Sequence, residues 1–369
     1  MNSIHTVEPH PSPKHKMGFL LDWLLTLKCN YDCTYCGPGG NGWLPGHDNT
    51  QAHPDKEVCE KMLEQGLRYV DMYMEIKRPN MRSTSLNIYG GEAVYRKDIE
   101  YLLEKSSKLY DGYRDSWSLN RMLTSNASCS LDKWKNVTDH VETITFSYHS
   151  EGPAKLQENF MTNIEYTHAQ KKNYSAIVLM YPKQWERCMY MLDYMQRKGY
   201  NVRPKILDGI QGVYTKEQLK QVFDVMKEKD YSLLENIEGK EVLTKFRACC
   251  GGRPLCTNRN FKEPKSVVPR DNWLGWKCSA NQFFLMMNSH DKNFYTNKDC
   301  HVRHDGTRGP LANMDTMDQY IEQTKEKLKQ SSSHFLTCVQ KRCVCGTCAP
   351  KSLTNQGLTD VMKSYNISV

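Results

Sequence analysis

The sequence predicts an α/β fold, a partial (β/α)6 TIM-like barrel carrying a small cysteine-rich C-terminal module. Three observations support this. Six strand-like runs alternate with amphipathic helical stretches as far as about residue 237. From Glu238 the alternation stops, and "RACCGGRPLC", a proline-rich stretch to Pro269 and two cysteine clusters replace it. The charged fraction is 25% and the mean hydropathy is −0.70, with 10% aromatic residues, as expected of a water-facing chain that buries a sizeable core. No apolar run reaches the roughly 18 residues that a membrane span needs.

The elements follow in order. Residues 1–16, with Pro11 and Pro13, read as a polar arm. The apolar stretch Met17–Leu27 follows Lys14, His15 and Lys16 in the manner of a secretory leader. Asp22 interrupts it and no small-residue cleavage site follows, so it reads as a buried strand. Further strands are predicted over Ser85–Tyr89, Leu119–Thr124, Val141–Ser147, Tyr174–Met180 and Val202–Leu207. Between the first two, Cys59, Leu63, Leu67, Val70 and Met74 recur at helical spacing. Helices are also predicted over Lys97–Tyr110, Pro153–Ala169, Gln184–Lys198 and Lys216–Lys229, with only a short one at Leu131–Trp134. Strands that each lead into a helix imply a parallel sheet with right-handed crossovers. The organisation is therefore an arm (1–16), a barrel core (17–237) and a C-terminal module (238–369).

Fifteen cysteines without a secretory leader argue against a disulfide framework and for metal ligation in a reducing, cytoplasmic setting. "LKCNYDCTYCGPGG" puts Cys29, Cys33 and Cys36 within eight positions, directly after the first strand. A structural zinc site, or a ferredoxin-type [4Fe–4S] site, takes four ligands. Three cysteines hold three irons of a cubane and leave the fourth iron open, which points to catalysis. A zinc site completed by a distant histidine, or three unrelated core thiols, is the alternative on spacing alone.

The CxxxCx(aromatic)C loop, with Tyr35 before the last cysteine, resembles the cluster motif of radical S-adenosylmethionine (SAM) enzymes. In that family the open iron chelates the amino and carboxylate groups of SAM. Reductive cleavage then yields a 5′-deoxyadenosyl radical that abstracts hydrogen from substrate. "NIYGGEAV" resembles the family's Gly-Gly-Glu motif, which implies SAM contacts for Gly90, Gly91 and Glu92, with Glu92 accepting from the SAM ammonium. Ala93 stands where relatives often have proline. By the same resemblance "LTSNAS" offers Ser125 and Asn126, and "ITFSYHS" offers Ser147 toward the ribose and His149 toward SAM or substrate. Tyr35 adds backbone contacts, and no adenine motif is evident near Leu179–Tyr181. All these residues fall at the C-terminal ends of strands, the rim where parallel barrels carry their reactive groups.

The C-terminal pattern resembles the auxiliary-cluster modules called SPASM and twitch. Cys278 and Cys300 flank a hairpin of Phe283–Asn288 and Lys292–Thr296, and "CVQKRCVCGTC" holds Cys338, Cys343, Cys345 and Cys348. The resemblance implies a second [4Fe–4S] cluster, with Cys278 and Cys300 supplying two ligands and the knot the other two, as Cys345 and Cys348 or as Cys343 and Cys345, and Cys338 not excluded; a zinc knuckle is the alternative. Cys249, Cys250 and Cys256 read as structural, and Cys59, Cys129 and Cys188 as packed thiols. The implied activity is hydrogen abstraction from a peptide or small-molecule substrate, with an electron donor such as flavodoxin or ferredoxin. The net charge of +8 and Lys325, Lys327, Lys329, Lys341, Arg342 and Lys351 motivate RNA or nucleotide modification as an alternative, but no run of like charges accompanies them. A non-enzymatic iron–sulfur sensor is the reading from another class.

Overall fold

The computed structural model describes residues 6–7, 18–36, 50–77, 83–207, 214–225, 274–296, 301–303, 306–330, 335–339 and 351–364. The polar arm apart from residues 6–7, the glycine-rich continuation of the cysteine loop after Cys36, the expected boundary at 237/238, and Cys249, Cys250, Cys256, Cys300, Cys343, Cys345 and Cys348 lie outside them.

After the two-residue β1 (Thr6–Val7), six βα units follow. The strands are β2 (Phe19–Thr26), β3 (Ser83–Gly90), β4 (Ser118–Ser125), β5 (Thr143–Tyr148), β6 (Asn173–Met180) and β7 (Val202–Ile206). The helices are α1 (Lys56–Lys77), α2 (Ile99–Asp111), α3 (Leu131–Thr138), α4 (Ala154–Ala169), α5 (Trp185–Arg197) and α6 (Lys216–Val225). All five neighbouring pairs from β2 to β7 are parallel and consecutive. That is the predicted partial barrel.

One helix is longer than the sequence implied. α3 runs to Thr138 because Ser130 caps its start, accepting from the Lys133 N–H. Trp134 and Val137 then bury one face, and Lys172 Nζ donates to the Thr138 carbonyl at the far end. Strand periodicity divides the sheet into two faces. Leu21, Trp23 and Leu25 of β2, Leu86 and Ile88 of β3, Ile144, Phe146 and Tyr148 of β5 and Ala176, Val178 and Met180 of β6 join the main core with the helices. Their alternating neighbours form the inner face.

The chain then completes β8 (Lys277–Cys278), β9 (Phe284–Asn288), β10 (Asn293–Tyr295), β11 (Ala312–Asn313), α7 (Met317–Gln330), β12 (Leu336–Thr337), β13 (Lys351–Ser352) and α8 (Asn355–Ser364). The predicted hairpin is present as β9 and β10. Its first strand pairs parallel with β2, so the nine-stranded sheet runs β11-β10-β9-β2-β3-β4-β5-β6-β7. The C-terminal part thus extends the barrel sheet at its β2 edge. β1, β13, β8 and β12 form a separate small sheet.

Trp23 Nε1 donates to Ser289 Oγ just past β9 at 2.8 Å, and Arg68 of α1 pairs with Asp318 of α7 at 2.6 Å. Gly66 brings α1 down onto this junction: a Cβ there would lie 2.4 Å from Met287 Sδ and 3.3 Å from Leu21. Gly66→Val should therefore cost about 1–3 kcal/mol of unfolding free energy in denaturant melts through overpacking. Adding Met287→Ala should return part of that loss; a double variant no better than the single one would show that β9 does not pack under α1.

Candidate active site

The inner face differs from that of an ordinary parallel barrel, whose interior is packed with branched apolar side chains. Here it carries Asp22, Ser85, Asn87, Asn120, Thr124, Thr143, Thr145, Ser147 and Ser175, with Arg203 and Lys205 on β7. Except for Asp22 these residues are half-exposed, while their outward neighbours are mostly buried. Asn87 Nδ2 donates to the buried Asp22 carboxylate. Asn173 Nδ2, Thr143 Oγ1 and Asn120 Oδ1 form a chain of 3.1 Å bonds across three strands. The concave face is thus mixed: these polar residues adjoin a buried apolar cluster that includes Leu24, Tyr89, Phe284 and Met286.

At that rim β3 ends against the start of the cysteine loop. Gly91 N–H donates to the Thr26 carbonyl at 2.7 Å, and Glu92 N–H to the Lys28 carbonyl at 2.9 Å. A Cβ on Gly90 would lie 2.1 Å from the Thr26 oxygen, and one on Gly91 2.4 Å from that of Leu27 and 2.5 Å from that of Lys28. What the two glycines accommodate here is thus the protein's own backbone.

Glu92 is buried. Its Oε1 accepts from Val94 N–H at 3.0 Å and Ser125 Oγ at 2.7 Å, and its Oε2 from Asn126 N–H at 2.6 Å. Burial raises the carboxyl above its ordinary range, while these three donors act to keep it ionised. One acceptor position remains on Oε2. Asn126 Nδ2 donates to Asn30 Oδ1 at 2.9 Å, Asn30 Nδ2 to Ser128 Oγ at 2.7 Å, and Ser128 Oγ back to Asn126 Oδ1 at 2.7 Å. This closed triangle sits beside Cys29, with Asn126 Nδ2 3.9 Å from its sulfur. Of the sequence-predicted residues, Glu92, Ser125, Asn126 and Cys29 therefore meet. Ser147 lies on the inner face of β5 and makes no side-chain hydrogen bond among the described residues.

The middle of the loop is held from the ends of β5 and β6, by His149, which the motif singled out, and by Glu151 and Tyr181, which it did not. Thr34 gives its N–H to Glu151 Oε2 at 2.7 Å and its hydroxyl to Oε1 at 2.9 Å. With that proton committed, Tyr181 is the donor in its 2.9 Å contact with Thr34 Oγ1. His149 Nδ1 lies 2.9 Å from Tyr35 OH and 3.6 Å from Cys33 Sγ, and its ring stacks parallel to Tyr35. Gly152 leaves room for Tyr31, whose ring atoms would stand 2.8–2.9 Å from a Cβ. The one visible hint was His149 itself, two residues past Ser147.

Cys36 N–H closes a turn onto the Cys33 carbonyl at 3.0 Å. Burial pushes the Cys33 thiol up to about 12 and Cys29 higher still, so their thiolates form only against a compensating cation. Among the described residues no group of three or more His, Cys, Asp or Glu side chains converges on a single metal ion. A cubane asks for something else, one thiolate on each of three irons, and three thiols on one short loop are a donor set that fits it.

His53 adds a neutral group behind the rim. Thr26 Oγ1 accepts from Lys28 N–H at 3.2 Å and shares a 2.8 Å hydrogen bond with His53 Nδ1. Burial, and then the nearby Arg96 and Lys28 charges, lower His53 to about 4. Arg96 is itself buried; it pairs in a fork with Asp98 and donates to the Pro54 carbonyl at 3.0 Å.

Of the expected auxiliary ligands, Cys278 lies on β8, buried and facing Leu336 of β12. Cys338, two residues on, bonds through its N–H to the Trp276 carbonyl at 2.7 Å and is also buried. By strand periodicity Cys278 and Cys338 share one face of that small sheet. Lys325 pairs with Glu75 and Lys329 with Glu326, as on an ordinary solvated helix face. Among the described residues no helix is long and apolar enough to cross a membrane.

No known family's sequence pattern matches the chain, and no curated protein matches it. Solved structures do. Polyhistidine-tagged anSMEcpe with bound AdoMet is 16% identical, with a TM-score of 0.51, covering 94% of this chain and 95% of the other. Native anSMEcpe with bound AdoMet and the Cp18Cys peptide is 15% identical, with a TM-score of 0.50, covering 94% and 98%. The likeness establishes a shared fold along nearly the whole of both chains.

Two outcomes test this site. Gly91→Ala forces β3 away from the loop and should cost about 1–3 kcal/mol of unfolding free energy in denaturant melts; a variant as stable as wild type would contradict the backbone contact. The unfolded chain protonates His53 near 6.5, but the folded chain only near 4. The unfolded state therefore binds the extra proton in that window, and stability present above pH 6.5 is lost as the pH falls toward 4. His53→Gln should flatten this acid limb in thermal melts, and an unchanged slope would assign the limb to other groups.

Proposed function

We propose that this protein is a radical SAM enzyme. One observation carries the reading: a three-cysteine CxxxCxxC loop is joined to the Glu92–Ser125–Asn126 network at the C-terminal rim of a partial parallel barrel. The shared fold supports it, since anSMEcpe is an anaerobic sulfatase-maturating enzyme of the radical SAM class.

On this reading Cys29, Cys33 and Cys36 hold a [4Fe–4S] cluster with one open iron, which with bound SAM supplies a radical able to abstract hydrogen from an organic substrate. The remaining Oε2 position of Glu92 receives the SAM ammonium, Gly90 and Gly91 keep β3 tight against the loop, and Tyr35 and Ser147 border the nucleoside. Asn126 holds the residue after Cys29, and the rim buries Cys33. Cys278 and Cys300, with two of the knot cysteines Cys343, Cys345 and Cys348 or with Cys338 in place of one of them, are assigned to an auxiliary [4Fe–4S] cluster. An external donor of the flavodoxin or ferredoxin kind delivers the electron in the cytoplasm.

The substrate is assigned to the peptides. Similar solved structures hold AdoMet together with Cp18Cys or Kp18Cys peptides. The half-exposed hydroxyls and amides of the inner face suit a backbone rich in hydrogen-bonding groups.

Anaerobically reconstituted protein with reductant should convert SAM to methionine and 5′-deoxyadenosine, and Cys33→Ala should lower this by about 10³-fold or more, an electrostatic and redox centre being removed outright. Reconstituted wild type that makes no 5′-deoxyadenosine would defeat the reading. Cys29/Cys33/Cys36→Ala should keep about one [4Fe–4S] cluster per chain; zinc without iron in that variant would reassign the C-terminal site.

A further inference from the structure

We propose that Glu151 is a positioning residue for the cysteine loop, setting where its thiolates stand and how readily the centre they hold accepts an electron. The inference rests on the radical SAM reading of that loop and adds a group to it.

The loop from Leu27 to Cys36 contains no helix or strand. Its beginning is tied to β3 through Lys28, and Cys29 to the Asn126 triangle through Asn30. The segment between Cys33 and Cys36 has one backbone bond of its own, Cys36 N–H to the Cys33 carbonyl. Only Thr34 and Tyr35 separate those two ligands. Thr34 delivers both its N–H and its hydroxyl to the Glu151 carboxylate, and Tyr181 secures the hydroxyl from the other side. A two-point contact fixes rotation as well as distance, so Thr34 cannot turn without breaking a charge-assisted bond.

The adjoining residues act in the same direction. Ser150 is fully buried, and Gln157 Nε2 donates to the carbonyls of His149 at 3.0 Å and Ser150 at 3.3 Å. Glu151 is therefore presented from a fixed backbone. Gly152 follows, shaped to admit Tyr31 from the same loop. All these bonds join protein groups to one another, so the latch does not depend on what the thiols bind. Its negative charge stands beside Cys33 and Tyr35. A fixed anion there opposes the arrival of an electron on a centre already bound by thiolates.

The test uses the full-length chain with Glu151→Ala and Glu151→Gln, each checked for native thermal melting. In metal-free protein, hydrogen exchange over residues 30–36 should be about tenfold or more faster in Glu151→Ala, as expected for losing a bond to a charged group. Iron bound at the loop, counted as the difference from Cys29/Cys33/Cys36→Ala, should fall to less than about half of wild type. Glu151→Gln keeps an acceptor for Thr34 but not the charge. It should load iron normally, with the midpoint potential of the SAM-free loop centre moved upward in an EPR-monitored titration. Wild-type exchange and loading in Glu151→Ala would overturn the positioning role, and an unmoved potential in Glu151→Gln the electrostatic one. Failure of the underlying reading looks different: wild type and Cys33→Ala would bind the same amount of iron.

Discussion

The arrangement depends on one backbone contact, between the end of β3 and the first residues of the cysteine loop. Gly91 and Glu92 donate to the carbonyls of Thr26 and Lys28 in the only space that two residues without a Cβ leave open. That contact sets the height at which the loop leaves β2. It also places Glu92 where its buried carboxylate can reach across to β4, binding Ser125 and the Asn126 amide. From Asn126 the triangle with Asn30 and Ser128 returns to the loop beside Cys29. Three strand ends are thus fastened by a circuit of short polar bonds around one sulfur. In a water-poor rim such a circuit is stabilising only when complete, because each orphaned member bears its full desolvation cost.

The hydrophilic inner face is the second constraint, and it has a structural price. Where its interior is polar the barrel gives up the apolar packing that normally holds such strands together, and only the cluster of Leu24, Tyr89, Phe284 and Met286 keeps that packing inside. The outer layer compensates. Phe146 packs against Trp134, Phe160 and Tyr174, Phe19 against Tyr69 and Tyr73, and Trp117 against Tyr110 and Tyr113. Stability resides between sheet and helices, which leaves the groove free for polar contacts and solvent.

Much of this was legible in the sequence because it is periodic. The six strands and their helices follow from apolar alternation and helical spacing, and the cysteine triplet, the Gly-Gly-Glu turn and Asn126 stand where strands end. Glu151, Tyr181 and Asn30 carry no such signal. Each is an ordinary polar residue on an irregular stretch, and its partner lies 96 to 147 residues away. The full length of α3 depended on a Ser130 cap and on Lys172 from a distant turn, contacts that local periodicity does not encode. The hairpin was readable as a hairpin, but its docking was not. Phe284–Asn288 is a short apolar run that suits either a self-contained module or a sheet edge.

That docking bears on how the two ends of the chain communicate. β9 runs parallel to β2, so its C-terminal end, with Asn288, Ser289 and His290, emerges at the same rim as the cysteine loop. Ser289 is anchored twice to β2, through Trp23 Nε1 and through its own N–H to the Leu24 carbonyl at 3.1 Å. Cys278 lies only six residues before β9, at the opposite end of that strand. A short apolar strand therefore links Cys278 to the rim. A one-residue slip of β9 along β2 would turn every β9 side chain to the other face, exchanging Leu285 and Met287 of the main core for Met286 and Phe284 of the inner one. The main core cannot accept that exchange, since Met287 sits against Gly66. The register of β9 on β2 is consequently held by helix packing.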